Sequence, residues 1–349
     1  MTVVFDFRDL AVPVLVAPMA GGPSTPELAG AGSTAGGLGF VPAGYLTAEV
    51  FAERLETARR LTTGPVGANL FVPQPSAATP GAIEAYAGAL ASEAQRYGVS
   101  LGEPRFDDDE WGAKIEVLLD LRPAVASFTF GLPSADEVRR LTEAGITTVG
   151  TVTTLAEARQ AAERGVDAVA AQGPSAGGHR GTFDPAAPPS DVSLDDLLAA
   201  IIADLDLPVI AAGGLMDAGA VRRVLRSGAV AAQLGTAFLL ADEAGSSAVH
   251  RAALQDPQFT ETVVTKAFSG RYARGLRNRF VDEHETEAPL GYPEVHYLTS
   301  PVRAASVRAG DPHGVNVWAG TGYRQAESAP VAAIIETLLG PDSPEIDAN

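Results

Sequence analysis

Eight short apolar runs, each separated from the next by longer amphipathic runs, constrain this chain more than any other feature. The apolar runs cover 12–19, 38–42, 66–71, 124–130, 147–152, 168–172, 208–212 and 229–234. The runs between them predict helices over 25–35, 47–61, 81–97, 109–120, 134–143, 155–164, 193–204 and 217–226. Start signals support several of these. Thr47 precedes Glu49, and Ser134 and Asp217 stand where N-caps belong. The strand candidates are apolar on both faces, as in a parallel sheet covered by helices. Such a sheet either stays open and doubly wound or closes, and a count of eight favours the α/β class of TIM (β/α)8 barrel.

In a barrel the residues that follow each strand share one rim. Here the first strand is followed by Ala17, Pro18 and Met19, and the third holds Asn69. The sixth ends in Gln172 and runs into GPSAGGHRG, a loop with Gly177 and Gly178 next to His179. After the seventh come Gly213 and Gly214, and around the end of the eighth Gln233, Leu234, Gly235 and Thr236. The last two loops occupy the places where barrels bind phosphate through backbone N–H groups, and no lysine is needed there. Asn69 and Gln172 are carboxamides ending apolar strands. They either cap neighbouring backbone or meet a heterocycle with alternating donors and acceptors, such as a flavin edge. His179 has an ordinary pKa near 6.5 and suits a base or a hydrogen-bond donor.

Beyond the eighth strand the alternation stops. A helix is expected over 246–254 and another over 328–339, with an irregular region, 256–323, between them. The division expected is a barrel over 1–245, a cap or small second lobe over 246–325, a terminal helix over 326–340 and a disordered tail over 341–349. Arg271, Arg274, Arg277 and Arg279 read as a salt-bridged surface. Tyr272, Tyr292, Tyr297, Trp318 and Tyr323 read as core packing or pocket walls.

Composition narrows the function classes. Net charge is −18, which argues against binding nucleic acid. With no cysteine there is no disulfide, thiolate nucleophile or thiolate metal site. His250, His284, His296 and His313 lack metal-ligand spacing, so no metal is expected. The start, MTVVFDFRDL, carries charges, and no run of 18 apolar residues occurs, so a cytoplasmic protein free of membranes is expected. No pattern fixes an oligomeric state.

PVLVAPMAGGPSTPEL, GANLF, AQGPSAGGHRG, VIAAGG, QLGTAFL, FSGRYARGLRNRF and VWAGTG together resemble the nitronate monooxygenase family, also named 2-nitropropane dioxygenase. The resemblance spans about 12–339. It implies an FMN-bound barrel without metal, oxidising alkyl nitronates, and nitroalkanes, with O2 to carbonyl compounds and nitrite. It implies FMN contacts from the rim residues named above, with His179 as catalytic histidine. That histidine would remove the α-proton of a neutral nitroalkane or, protonated, hold the nitro oxygens of a nitronate. Ser175 stands where the family usually has an acidic residue. Three other readings compete: an FMN-dependent enoyl-[acyl-carrier-protein] reductase using NAD(P)H, a flavin-binding protein without turnover, and a sugar-phosphate barrel without flavin.

Overall fold

In a computed structural model, residues 5–340 are described; the tail expected to be disordered, 341–349, lies outside them. Eight parallel strands close into a barrel: β1 (Val14–Val16), β2 (Leu38–Pro42), β3 (Val66–Phe71), β4 (Val125–Thr129), β5 (Thr147–Val152), β6 (Ala168–Gln172), β8 (Val209–Ala212) and β9 (Ala231–Leu234). A two-residue strand, β7 (Gly178–His179), stands between β6 and β8 in sequence but belongs to another sheet. β9 pairs with β1, Leu15 facing Gln233, which closes the ring.

Period-two alternation sorts the side chains into an inside and an outside. Leu15, Leu38, Phe40, Val125, Val149, Ala168, Ala170, Ile210 and Ala231 form one core inside the barrel, joined by Phe7 and Leu10 at its floor. Val14, Val16, Val169, Ala171, Val209 and Ala211 face outward into the helical layer. Both sides are apolar, which is why the strands read as unbroken apolar runs. Following the inward phase toward the strand ends reaches Ala17, Asn69, Ser127, Thr129, Thr151, Gln172, Ala212 and Gln233, all lining one cavity. The barrel is thus apolar below and mostly polar at its mouth.

Helices cover the barrel with side-chain caps from Thr47, Ser134 and Asp217, and Ser134 forms a full capping box with Glu137. Three departures from the expected boundaries have a local cause. β1 is shorter than 12–19 because prolines at 13 and 18 bring no N–H to a ladder. The helix over 81–97 is two, Pro80–Ala89 and Ala91–Tyr97, with the break at fully buried Leu90. The helix expected from 109 starts at Trp111, since Asp109 and Glu110 are left-handed.

Past β9 the chain builds a lobe. β10 (Thr262–Thr265) and β11 (Ala273–Leu276) are antiparallel, and β11 also pairs with β7, Ala273 facing His179. Helices Arg279–His284 and Glu294–Ala309 follow. The lobe has its own core of Phe268, Phe280, Val295, Leu298 and Val302, which takes in Ile83, Tyr86 and Leu90 from the insertion after β3. The lobe core is therefore not confined to 246–325. Helix Val331–Leu339 returns to the barrel and packs Val331, Ile334 and Ile335 into the outer core. Among the described residues no helix is long and apolar enough to cross a membrane.

Candidate active site

A cavity of about 550 Å³ lies between the barrel mouth and the lobe. That is within the range of small-molecule sites. Every rim residue singled out from the sequence lines it: Ala17, Pro18, Met19, Asn69, Gln172, Gly177, Gly178, His179, Gly213, Gly214, Gln233, Leu234, Gly235 and Thr236.

One end of the cavity is a cradle of backbone donors. Among the described residues the N–H groups of Gly213, Gly214, Gly235 and Thr236 donate to no protein acceptor. The two loops are neighbours because Ala212 pairs with Gln233. Gly213 and Gly214 have φ of +104° and +75°, a turn that L side chains resist, and a Cβ on Gly214 would lie 2.7 Å from Ser175 Cβ. Thr236 Oγ1 accepts from Gly320 N–H at 2.9 Å, which leaves its own proton to donate. Ser175 backs this turn, its carbonyl accepting from Thr321 N–H.

The carboxamides divide their tasks. Asn69 Nδ2 is held by Ser127 Oγ at 2.9 Å and Thr129 Oγ1 at 3.1 Å, so Oδ1 is left as an acceptor. The Gln233 side chain makes no hydrogen bond among the described residues. Gln172 instead pins the histidine loop: Nε2 donates to His179 O at 3.1 Å, and Oε1 accepts from Gly181 N–H at 2.9 Å.

His179 is held from both sides of the seam. Ser269 Oγ donates to Arg271 O at 3.2 Å, so it accepts from His179 Nε2 at 2.9 Å. This pattern assigns the proton to Nε2 and leaves Nδ1 a lone pair with no protein partner. Phe130, Tyr292 and Trp318 surround the ring with centroids 5.6, 5.8 and 5.6 Å away. Burial pushes the imidazole down, and the charges of Arg271 and Arg303 push it further, to about 3. The neutral ring is therefore the resident form at neutral pH, and the protonated alternative is the one its surroundings disfavour.

The lobe side carries residues that sequence reasoning missed. Tyr45, which follows β2, stacks on His296 with centroids 4.2 Å apart. Its φ is +68°, a strained value for an aromatic residue. Its N–H donates to Asp109, whose other oxygen lies 2.8 Å from buried Lys114. Tyr45, Phe71, Phe130 and Tyr292 form an aromatic wall reaching from His296 to His179. Arg303 and Asn316 complete this end of the cavity. Nothing in the local sequence around Tyr45, His296 or Arg303 marks them; each belongs to an ordinary helix or turn and meets the others only through the fold.

The arginine group needs correction. Arg277 pairs with Glu261 and Asp282, and Arg279 with Glu93 and Glu283, as a salt-bridged set would. Arg271 is only 2 % exposed. It lies over the Phe130 ring at 3.9 Å and donates to Gln74 and Thr182. Arg274 donates to Pro174 O and Thr262. Arg271 is buried and Arg274 half-buried because β11 and the residues leading into it run against the histidine loop and not across the surface. Of the aromatic candidates, Trp318 lines the cavity, Tyr292 adjoins His179, and Tyr323 is buried with its hydroxyl on Phe259 O.

A family model described as "Nitronate monooxygenase" matches residues 6–340. The chain is 36% identical over 334 residues to the "Probable nitronate monooxygenase" of Staphylococcus aureus (strain MSSA476), across 94% of this chain and 93% of the relative. Among solved structures it is similar to a nitroalkane oxidase from Streptomyces ansochromogenes, with a TM-score of 0.91, 47% identity and 95% of each chain covered. It is also similar to FabK from Thermotoga maritima, with a TM-score of 0.73, 25% identity, and 96% of this chain and 93% of the other covered. With the motifs, the barrel and the site geometry agreeing with these matches, the chain belongs to the nitronate monooxygenase family and is an oxidoreductase.

Proposed function

We propose that this protein binds FMN in the cavity and oxidises alkyl nitronates with dioxygen to carbonyl compounds and nitrite. The observation that carries the reading is the convergence of unengaged N–H donors, spare carboxamide groups and a neutral histidine in one cavity. The four N–H groups at 213, 214, 235 and 236 form an anion cradle of the kind helix N-termini and glycine turns offer to phosphate. Asn69 Oδ1 and the Gln233 carboxamide supply the acceptor and donor that a flavin edge requires. Bound there, FMN would supply the electron transfer between the nitronate and dioxygen.

The chain's own residues would do the rest. The aromatic wall and the lobe exclude water from the space beside His179. For a neutral nitroalkane, His179 Nδ1 is the atom placed to take the α-proton. Arg271 and Arg303 oppose a positive charge on the ring. Proton transfer is therefore favoured only when negative charge appears next to it, as it does when a nitroalkane becomes a nitronate.

The test is direct. Purified protein should be yellow and should release nitrite from ethylnitronate or propyl-2-nitronate with uptake of oxygen. Colourless protein that takes up no FMN on reconstitution would end the reading. The reductase alternative is decided by anaerobic mixing: flavin bleached by NADH and untouched by nitronate would replace nitronate oxidation with reduction.

A further inference from the structure

Arg303 is a cation in the cavity wall for which the described residues provide no anion. Its Nε donates to Thr299 Oγ1 at 3.0 Å, and Nη2 to His296 O and Ser300 Oγ, both at 2.8 Å. The protein partner of Nη1 is Asn316 Oδ1, at a long 3.3 Å. Every acceptor is neutral, and among the described residues no carboxylate forms a salt bridge with this guanidinium. A desolvated charge without a counter-charge is costly unless a ligand supplies one. The arrangement around it adds a second donor. Nη2 lies 3.2 Å from His296 Nδ1, and an arginine can only donate. His296 Nδ1 is therefore the acceptor and its proton sits on Nε2, an N–H with no partner among the described residues. The stack on Tyr45 holds this ring in place. Arg303, His296 and Asn316 all line the cavity that holds His179.

The geometry points to an anion subsite: Arg303 Nη1 and His296 Nε2–H bind a planar two-oxygen anion, either the nitronate group itself or a carboxylate carried by the substrate. This rests on the cavity being the substrate site proposed above and names what it selects. The fork of a guanidinium matches the O–N–O of a nitronate and the O–C–O of a carboxylate equally well. His179, held neutral, is left free for the proton.

The experiment titrates the wild-type holoprotein with propionate and with its neutral isostere propionamide, reading tryptophan fluorescence and the flavin spectrum. Propionate should bind at least about tenfold more tightly than propionamide, the scale of one charge-assisted contact. Arg303→Gln should remove that preference, and Arg303→Lys should restore part of it. Where the subsite holds the nitronate group, kcat/KM in Arg303→Gln should fall about tenfold more for ethylnitronate than for nitroethane; where it holds a substrate carboxylate, the two should fall alike. Propionate that competes with ethylnitronate assigns the subsite to the nitronate group. Propionate that binds together with it assigns the subsite to a substrate carboxylate. Equal binding of propionate and propionamide to the wild type overturns the proposal without any variant. So does an Arg303→Gln protein whose flavin potential shifts while its propionate affinity does not. The titration requires no turnover. An inactive protein that still prefers propionate would refute nitronate oxidation and keep the subsite.

Discussion

The barrel mouth and the lobe face each other across one cavity and furnish it differently. The mouth offers backbone N–H groups and neutral carboxamides, set by strand register and short turns. The lobe offers Arg303, His296 and Trp318, long or ring side chains backed by a separate core, with Arg271 buried behind the wall over Phe130. Neutral dipoles fixed on a rigid ring suit a cofactor that stays. Charged side chains on a second body suit a substrate that exchanges. The lobe also has its own anchor, where Arg279, Arg96 and His284 gather around fully buried Glu93.

The widest separation of the two halves should come from His179→Asn. The flavin spectrum should persist while turnover of neutral nitroalkanes falls about 10²–10⁴-fold. Unchanged rates would remove His179 as base. Glu93→Ala should cost about 1.5–3 kcal/mol, the scale of hydrogen bonds to a charged group, because Arg279 keeps Glu283 as a partner, and differential hydrogen exchange should localise the loss to the lobe. Acid tests the same anchor. Burial alone would raise the Glu93 carboxyl, but His284, Arg279 and Arg96 outweigh it and hold it at about 2 against an ordinary 4.5. A carboxyl depressed in the folded state contributes stability above about pH 4.5 that is lost as pH falls toward 2. The lobe should therefore loosen in that window, read by Trp318 fluorescence in a Trp111→Phe background, and Glu93→Gln should flatten the response.

On the barrel side, Gly214→Val forces a branched residue to a φ of +75° against Ser175. A strain of about 1–3 kcal/mol should weaken FMN about 10–100-fold. The melting transition of the lobe should not move. Ser269→Ala frees the His179 ring and should lower kcat/KM for nitroalkanes about tenfold, with a smaller loss for preformed nitronates. Equal losses for both would make Ser269 a packing residue. The smallest effect is an absence. With His179 lowered to about 3, the neutral base persists well below its ordinary 6.5. The nitroalkane rate should show no acid limb between about pH 5 and 8. An inflection near 6.5 would mean that neither burial nor the arginines act on the ring.

The barrel half of this site is legible in the sequence because barrel closure is a topological rule. Once eight buried strands are recognised, Asn69, Gln172 and Thr236 must share a rim, whatever lies between them. The glycine-rich loop marks His179 for the same reason. The lobe half follows no such rule. Tyr45 and Tyr292 meet across 247 residues of chain, and nothing local to either announces it. Arg271 looked like surface because it stands among other arginines. Only the pairing of β11 with the histidine loop turns it inward. Helix breaks at Leu90 and before Trp111 were likewise set by tertiary packing and turn geometry, which periodicity does not register.

The pairing of β7 with β11 has a practical side for anyone wishing to redesign this enzyme. Specificity cannot be exchanged by grafting the lobe from a relative as a cassette, because His179, the proposed base, is a strand of that cassette while its chain ends are soldered into the barrel. A successful chimera would have to cross over within the 173–182 loop and transplant Ser269 and Ala273 with it, so that the imported sheet still finds its third edge.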